Sequence, residues 1–196
     1  MALPPAVKEQ MAKQRRATFI EWARDPALWL NSSETNRYIA GILYERYIKA
    51  HKDYVALMEA SVKPGHKRAP APNEIHSNMV LGKSTLMHYG LALECGLKAC
   101  AIKQGLDPVQ DASADNPSLK REFAHHDLAR HIEQIFGDKP PVLSPKQPKY
   151  LFDLTRAINS GKYPVEKDAE EEWAYTAELD EKVAFVEEFI KHLKAI

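Results

Sequence analysis

The chain has 196 residues, 44% of them apolar, so it is long enough for one domain with a sizeable core. Its 27 Lys and Arg residues balance 27 Asp and Glu residues, which excludes attraction of the whole molecule to nucleic acid or membranes by net charge. No run approaches the roughly eighteen apolar residues of a membrane helix, and the opening MALPPAVKEQMAKQRR lacks the apolar core of a signal peptide. We therefore expect a cytoplasmic protein with no membrane partner.

The first part of the chain predicts two helices and a proline-rich loop. Residues 7–24 contain no glycine or proline, and Asp25-Pro26 is expected to end this helix. Ser32 or Ser33 is the predicted N-cap of a second helix, which runs to about residue 60. Residues 63–75 hold three prolines and one glycine, which excludes a helix there. We therefore expect an N-terminal helical extension, residues 1–30, and a helical bundle, residues 31–196, with a basic proline-rich loop at 61–77.

The remainder predicts four further helical segments. One begins at Ser77 or Asn78 and ends at Gly105, and its apolar residues crowd every face, which is typical of a buried central helix. After a break near His125, a helical stripe is formed by Leu128, Ile132, Ile135 and Phe136. Helices at residues 150–160 and 179–193 follow. Because no segment alternates as a strand does, the sequence predicts an all-α, up-and-down helical bundle with no sheet.

Neither the cysteines nor the clustered histidines have the spacing of a metal site. Cys95 and Cys100 would point about 140° apart on a helix, so we expect no disulfide, and a lone C-x4-C pair is not a zinc ligand set. The histidines at 125, 126 and 131 lack the spacing of four that places two ligands on one helix face. We therefore expect no metal and no cofactor.

The segment REFAHHDLARH, residues 121–131, contains the candidate catalytic pair. Arg121 and His126 form an R-x4-H motif, in which histidine can transfer a proton and arginine can stabilise charge on phosphorus without a metal. Arg46 and His51 form a second such motif inside a predicted long helix, and we attribute that match to chance. Asp127 is expected in the first turn of a helix, where a carboxylate is favourable.

Charge is unevenly distributed along the chain. Residues 166–188 contain ten acidic and only two basic side chains. Such a run is typical of a solvated helix face, and it is also the feature that a non-catalytic protein-interaction module would use.

Three segments, taken in order, resemble the HEPN family (higher eukaryotes and prokaryotes nucleotide-binding) over roughly residues 80–195. LECGLKACAIKQG carries Glu94 and Lys98 and ends at Gly105, HDL follows at His126, and INSGKYP closes a later helix at residues 158–164. The chain has Lys162 where the family usually has arginine. The helix at residues 7–24 stands outside the resemblance as an addition.

The resemblance implies a four- or five-helix bundle that is often a homodimer and that acts in toxin–antitoxin or defence systems. It also implies that the chain binds a nucleotide or RNA, or an antitoxin or nucleotidyltransferase-type protein partner. Lys98, His126 and Asp127 are the candidate ligand-binding residues. Two alternatives stay open: a metal-independent endoribonuclease with Arg121 and His126 as its catalytic residues, and a non-catalytic interaction module. Whether the chain is an enzyme is therefore undecided by the sequence.

Overall fold

The computed structural model describes residues 4–62, 72–113, 116–160 and 178–196, and in these segments the chain is an all-α bundle, as predicted. The helices, numbered in chain order, are α1 Pro5–Arg24, α2 Pro26–Ser61, α3 Pro72–Lys103, α4 Arg121–Ala124, α5 Leu128–Phe136, α6 Gln147–Ser160 and α7 Leu179–Lys194. None of the helices in the described segments is long and apolar enough to cross a membrane. The loop at 63–71, the tripeptide Lys162-Tyr163-Pro164 and the acidic run at 166–177 lie outside the described residues.

Helix α3 is the centre of the bundle, as its apolar residues on every face predict. It packs against α2, α5, α6 and α7, which together cover it within one chain. Its fully buried side chains include Leu86, Leu93 and Leu97. At Gly90 an added Cβ would lie 3.0 Å from the side chain of Ile158, so glycine is what allows α3 and α6 to approach closely. The apolar faces of α3 are thus buried inside the chain.

The start of α2 differs from the sequence prediction. Asp25 is the N-cap, its carboxylate accepts from the Ala27 amide at 2.8 Å, and Pro26 is the first helical residue. Ser32 and Ser33 lie inside the helix, and the Ser33 hydroxyl donates to the Ala92 carbonyl of α3 at 2.7 Å. The prediction was wrong because Asp-Pro was taken as a stop signal, whereas it also suits the N-cap and first position of a new helix. The proposed division after residue 30 consequently falls within α2.

Two further boundaries differ in smaller ways. Helix α3 begins at Pro72, a few residues before the predicted N-cap. A two-residue antiparallel pair, Val109–Gln110 (β1) with Ser118–Leu119 (β2), occurs where no strand was predicted. Such a short ladder leaves no alternation in the sequence, because a period of two residues needs at least four positions to be seen.

Candidate functional site

The candidate site is built on two charged residues in the middle of the buried helix α3. Glu94 and Lys98 stand one turn apart and are only 3% and 4% exposed. Lys98 Nζ lies 2.5 Å from Glu94 Oε1. Two charges removed from water are tolerated when they neutralise each other, and removing one of them leaves a costly unpaired charge.

His126 completes this pair from the loop before α5. Its Nδ1 lies 2.9 Å from Glu94 Oε2, so each oxygen of the buried carboxylate has its own partner. A carboxylate accepts, and we therefore assign the ring proton to Nδ1. The His126 side chain is 43% exposed, in contrast to its partner Glu94. The hydrogen bond thus fixes the ring and leaves Nε2 as the nitrogen available to a ligand.

Trp29 of α2 connects this cluster to the N-terminal part of the chain. The Lys98 ammonium lies 5.1 Å from the centre of the Trp29 ring, within the range of a cation–π interaction. The Trp29 indole donates to the Ala23 carbonyl of α1 at 3.0 Å. No sequence pattern predicts this role of Trp29, because Trp29 and Lys98 are far apart in the chain.

His125 and His131 have a different environment from His126. Their rings stack at 4.3 Å, and His131 Nε2 donates to the His125 carbonyl at 3.1 Å. Burial, reinforced by the nearby charge of Lys98, lowers the pKa of His131 to about 4. Burial also lowers the pKa of His125. Both rings are therefore neutral near pH 7, and they support the loop from inside.

No metal centre arises from this concentration of histidines. Within the described part of the chain, no three His, Cys, Asp or Glu side chains are grouped so as to hold a metal ion. Cys95 and Cys100 are both free thiols. Burial raises the pKa of the Cys95 thiol to about 11, so it is not a thiolate near pH 7.

Asp127 is the N-cap of α5, in agreement with its predicted place in the first turn. Its side chain accepts from the Arg130 amide at 3.2 Å. The amide of Leu128, the first residue of α5, donates to Thr155 Oγ1 of α6 at 3.2 Å. These bonds hold the start of α5 against α6 and so determine where His126 lies. A ligand contact by Asp127 stays a prediction.

Arg121 begins the one-turn helix α4 and is exposed to solvent. Among the described residues its guanidinium has no ion-pair or hydrogen-bond partner. Phe123, in the same turn, is 1% exposed and anchors α4 to the core. The second R-x4-H motif, Arg46 and His51, has a different environment. His51 lies within α2, and its Nδ1 is 3.2 Å from Asn78 Nδ2 of α3.

The structure thus brings His126 next to Glu94 and Lys98, which lie in a different segment of the sequence. Glu94 was noted for the family resemblance but was not among the predicted site residues. A signal for it exists in the sequence: a glutamate and a lysine four residues apart stand in the central helix, whose apolar residues crowd every face. Their burial implies that each needs a partner of opposite charge.

Comparison with protein-family models, with curated proteins and with solved structures gives no match for this chain. The resemblance to the HEPN family accordingly stays a prediction. The roles of Glu94, Lys98 and His126 are inferred from their contacts and burial alone.

Proposed function

We propose that the chain is a HEPN-like helical domain that binds a nucleotide or RNA through the surface around His126. The observation that carries this proposal is the hydrogen bond between His126 and the buried Glu94. Burying the Glu94 carboxyl group costs free energy and requires Lys98 beside it as a partner. Packing of the core alone would not need this costly group, which orients the half-exposed His126. The arrangement is well suited to presenting one imidazole nitrogen in a fixed direction.

The charges around His126 support an anionic ligand. Arg121 lies five residues before it and Arg130 four residues after it, and both are exposed. The amino end of α5 adds the positive end of a helix dipole close to His126. Guanidinium groups bind phosphate oxygens in pairs of parallel hydrogen bonds, so nucleotides and RNA are the ligand class that these groups fit.

Lys98 supports this surface from inside. Its side chain is 5% exposed and its ammonium group contacts Glu94 and the Trp29 ring. We therefore propose a positioning role for Lys98 in place of the predicted ligand contact: Lys98 holds one oxygen of Glu94, and Glu94 holds His126 in place.

A metal-independent endoribonuclease is the second candidate, and the same hydrogen bond favours it. A general base is commonly oriented by a third group, and Glu94 stands in that relation to His126. His126 Nε2 would take the proton from the attacking 2′-hydroxyl as that oxygen bonds to phosphorus, and Arg121 would stabilise the charge that develops on the phosphate oxygens. The bond from phosphorus to the 5′-oxygen would then break, and the leaving 5′-oxygen would take its proton from water. No metal is required for any of these steps.

Binding is tested with fluorescein-labelled single-stranded RNA and with ATP, by anisotropy and by thermal shift. We expect His126→Ala and Arg121→Ala each to weaken binding about tenfold or more, since a hydrogen bond to a charged group contributes roughly 1.5–3 kcal/mol. Arg46→Ala is the matched control, because it removes an exposed arginine from the other R-x4-H motif. Equal losses in Arg46→Ala and Arg121→Ala would contradict a specific surface at His126.

Cleavage is tested on the same RNA in the presence of EDTA. If the chain is a ribonuclease, cleavage persists in EDTA, and the rate of cleavage falls about a hundredfold or more in His126→Ala and in Arg121→Ala. Intact RNA together with binding supports the first candidate alone. Neither cleavage nor binding would leave the non-catalytic interaction module, and the nucleotide or RNA proposal would then be abandoned.

A further inference from the structure

Helix α1 has a side of aromatic and basic residues that the described part of the chain leaves uncovered. Residues 5–15 are exposed at every position, and Ala23 is the one buried residue of the helix. The carboxyl end of α1 is held by a two-bond ion pair between Arg24 and Asp107, at 2.8 and 3.0 Å. The turns before this end therefore present their side chains to solvent.

On this side of α1 the cations stand among the apolar side chains. A shallow concavity along the helix is lined by Met11, Gln14, Arg15, Thr18, Phe19 and Trp22. Trp22 is 62% exposed, which is unusual for so large an apolar side chain. Lys8 falls on the same side, because it lies three residues before Met11 and seven before Arg15. We call this side, with Lys8, Met11, Arg15, Phe19 and Trp22, the α1 face.

The charge of the α1 face is positive. Lys8 and Arg15 are exposed and have no ion-pair partner among the described residues. The two acids of α1, Glu9 and Glu21, each stand six residues from Arg15, which places them about 120° away around the helix. A surface with unpaired cations and flat aromatic rings suits a ligand that carries both anionic and planar groups. Phosphates joined to bases have this combination.

A second concavity continues from the α1 face at Trp22, which lines both. Its other described lining residues are uncharged: Leu28, Trp29, Asn31, Ser32, Thr35 and Asn36. The hydroxyls of Ser32 and Thr35 donate to backbone carbonyls of α2, and the Asn36 side chain is bonded within the bundle. Asn31 is exposed, and its amide group has no hydrogen-bond partner among the described residues. The Asn31 amide is therefore free to bond the edge of a base.

The second concavity adjoins the candidate site through Trp29. The Trp29 ring lies 5.1 Å from Lys98 Nζ. Lys98 bonds one oxygen of Glu94, and His126 bonds the other. Two side chains thus connect Trp29 to His126, so that one extended ligand can contact both the α1 face and His126.

We propose that the α1 face and the second concavity hold single-stranded RNA that also contacts His126. Lys8 and Arg15 contact phosphates, a base stacks on Trp22, and Asn31 bonds the edge of a base. A single strand fits because its bases are free to stack on a side chain, whereas those of a duplex stack on each other. From Lys8 to Trp22 the face is about 21 Å long, which one nucleotide cannot cover.

This inference rests on the proposed function and narrows its ligand from any nucleotide to a strand of several nucleotides. Helix α1 lies outside residues 80–195, the part of the chain that resembles the HEPN family. The contacts of the α1 face are therefore inferred from this chain's own residues and not from the resemblance.

The test is the affinity of the full-length chain for fluorescein-labelled oligouridine of about 4 and about 16 nucleotides, measured by anisotropy beside ATP. We expect the longer strand to bind more tightly than the shorter one. Trp22→Ala should weaken binding of the longer strand at least fivefold, and Trp22→Phe should keep most of the affinity because an aromatic ring remains. The affinity for ATP should be unchanged in Trp22→Ala. Phe152→Ala is the matched control, because Phe152 is an equally exposed aromatic residue, 64%, on α6.

The salt dependence of binding tests the phosphate contacts. Lys8→Gln and Arg15→Gln should each lower the slope of log affinity against log salt concentration by about 0.7, since each removes one phosphate contact with a single strand. Lys13→Gln is the matched control: Lys13 is also an exposed cation of α1, but it lies about 160° around the helix from Arg15. Its slope should stay near that of the wild type.

The outcomes separate this inference from the proposed function. RNA binding that falls in His126→Ala but not in Trp22→Ala would overturn the inference and leave the proposed function standing. So would equal affinity for the two strand lengths, or a slope that changes as much in Lys13→Gln as in Arg15→Gln. RNA binding that falls in Trp22→Ala but not in His126→Ala would support the α1 face and contradict the site at His126. Binding of neither RNA nor ATP would contradict both.

Discussion

At the scale of single residues, burial gives three neighbouring histidines different properties. His126 is half-exposed and bonded to the buried carboxyl group of Glu94, whereas the rings of His125 and His131 stack on each other. The same short segment, HHDLARH, therefore contains one histidine available to a ligand and two that stabilise the backbone around it. Sequence spacing does not distinguish them, because solvent exposure is decided by the contacts of the loop with α3 and α6.

The buried ring of His131 predicts a loss of stability in mild acid. Its pKa is about 4 in the folded chain and near 6.5 in an unfolded one, so between these values only the unfolded chain takes up the proton. The stability due to the neutral ring is complete above pH 6.5 and declines as the pH falls to 4, by on the order of 3 kcal/mol. The lowered pKa values of His125 and His88 act in the same direction.

Urea unfolding at several pH values between 7 and 4 measures this loss. His131→Gln keeps a neutral donor for the His125 carbonyl and should flatten the pH dependence, although packing is lost at every pH. Phe152→Leu, at an exposed position of α6, should keep the wild-type slope. If the free energy of unfolding of His131→Gln depends on pH as steeply as that of the wild type, the loss of stability in acid arises from other groups.

At the scale of secondary-structure elements, the ends of the helices around the site are well determined by local chemistry. Helix α3 ends in a Schellman arrangement: Gly105 has φ +90° and donates to the Ile102 carbonyl, and the Leu106 amide donates to Ala101. Helix α5 begins at the Asp127 cap. Both ends were predicted from the sequence, since glycine at a helix end and aspartate at a helix start act through their nearest neighbours.

The Asp127 cap predicts a difference between two substitutions. Asp127→Ala removes the acceptor for the Arg130 amide and should lower the free energy of unfolding by about 1 kcal/mol. Asp127→Asn keeps an oxygen acceptor and should lower it by a few tenths only. Urea unfolding at pH 7 compares them. If ligand affinity falls in Asp127→Asn while stability does not, the carboxylate has the predicted ligand role as well as the cap.

At the scale of the whole molecule, a buried ion pair joins α6 to α7. Lys182 is fully buried and its Nζ lies 2.7 Å from Asp153 Oδ2. The two helices are separated in the chain by residues 161–178, and this contact holds α7 against α6. Helix α7 also contributes buried apolar side chains to the core, among them Val183, Val186 and Ile190.

Breaking this pair on one side should be more harmful than replacing both partners. Lys182→Met leaves the Asp153 carboxylate buried without a counter-charge and should cost about 3–5 kcal/mol. The double variant Lys182→Met, Asp153→Leu should recover most of that loss, because a buried ion pair can be exchanged for apolar side chains at little net cost. Denaturant unfolding of the wild type, of Lys182→Met, of Asp153→Leu and of the double variant measures the coupling energy of the pair. Additive losses would mean that the pair does not act as a unit.

The sequence alone determined the helical class, the central place of α3, the carboxyl end of α3 and the start of α5. These features depend on the apolar period of each segment and on residues next to each helix end, and such local signals survive without knowledge of the fold. The start of α2 was misjudged because Asp25-Pro26 suits both the end of one helix and the beginning of the next.

The tertiary structure alone decided which charged residues meet. Glu94 is 32 positions from His126, and Lys98 is 69 positions from Trp29, so no periodicity links them. It also decided that α3 is covered within one chain while α1 is left open, since exposure depends on how the whole bundle closes around its centre. A residue's type limits what it can do, but its burial and its distant neighbours decide whether it supports the core or faces a ligand.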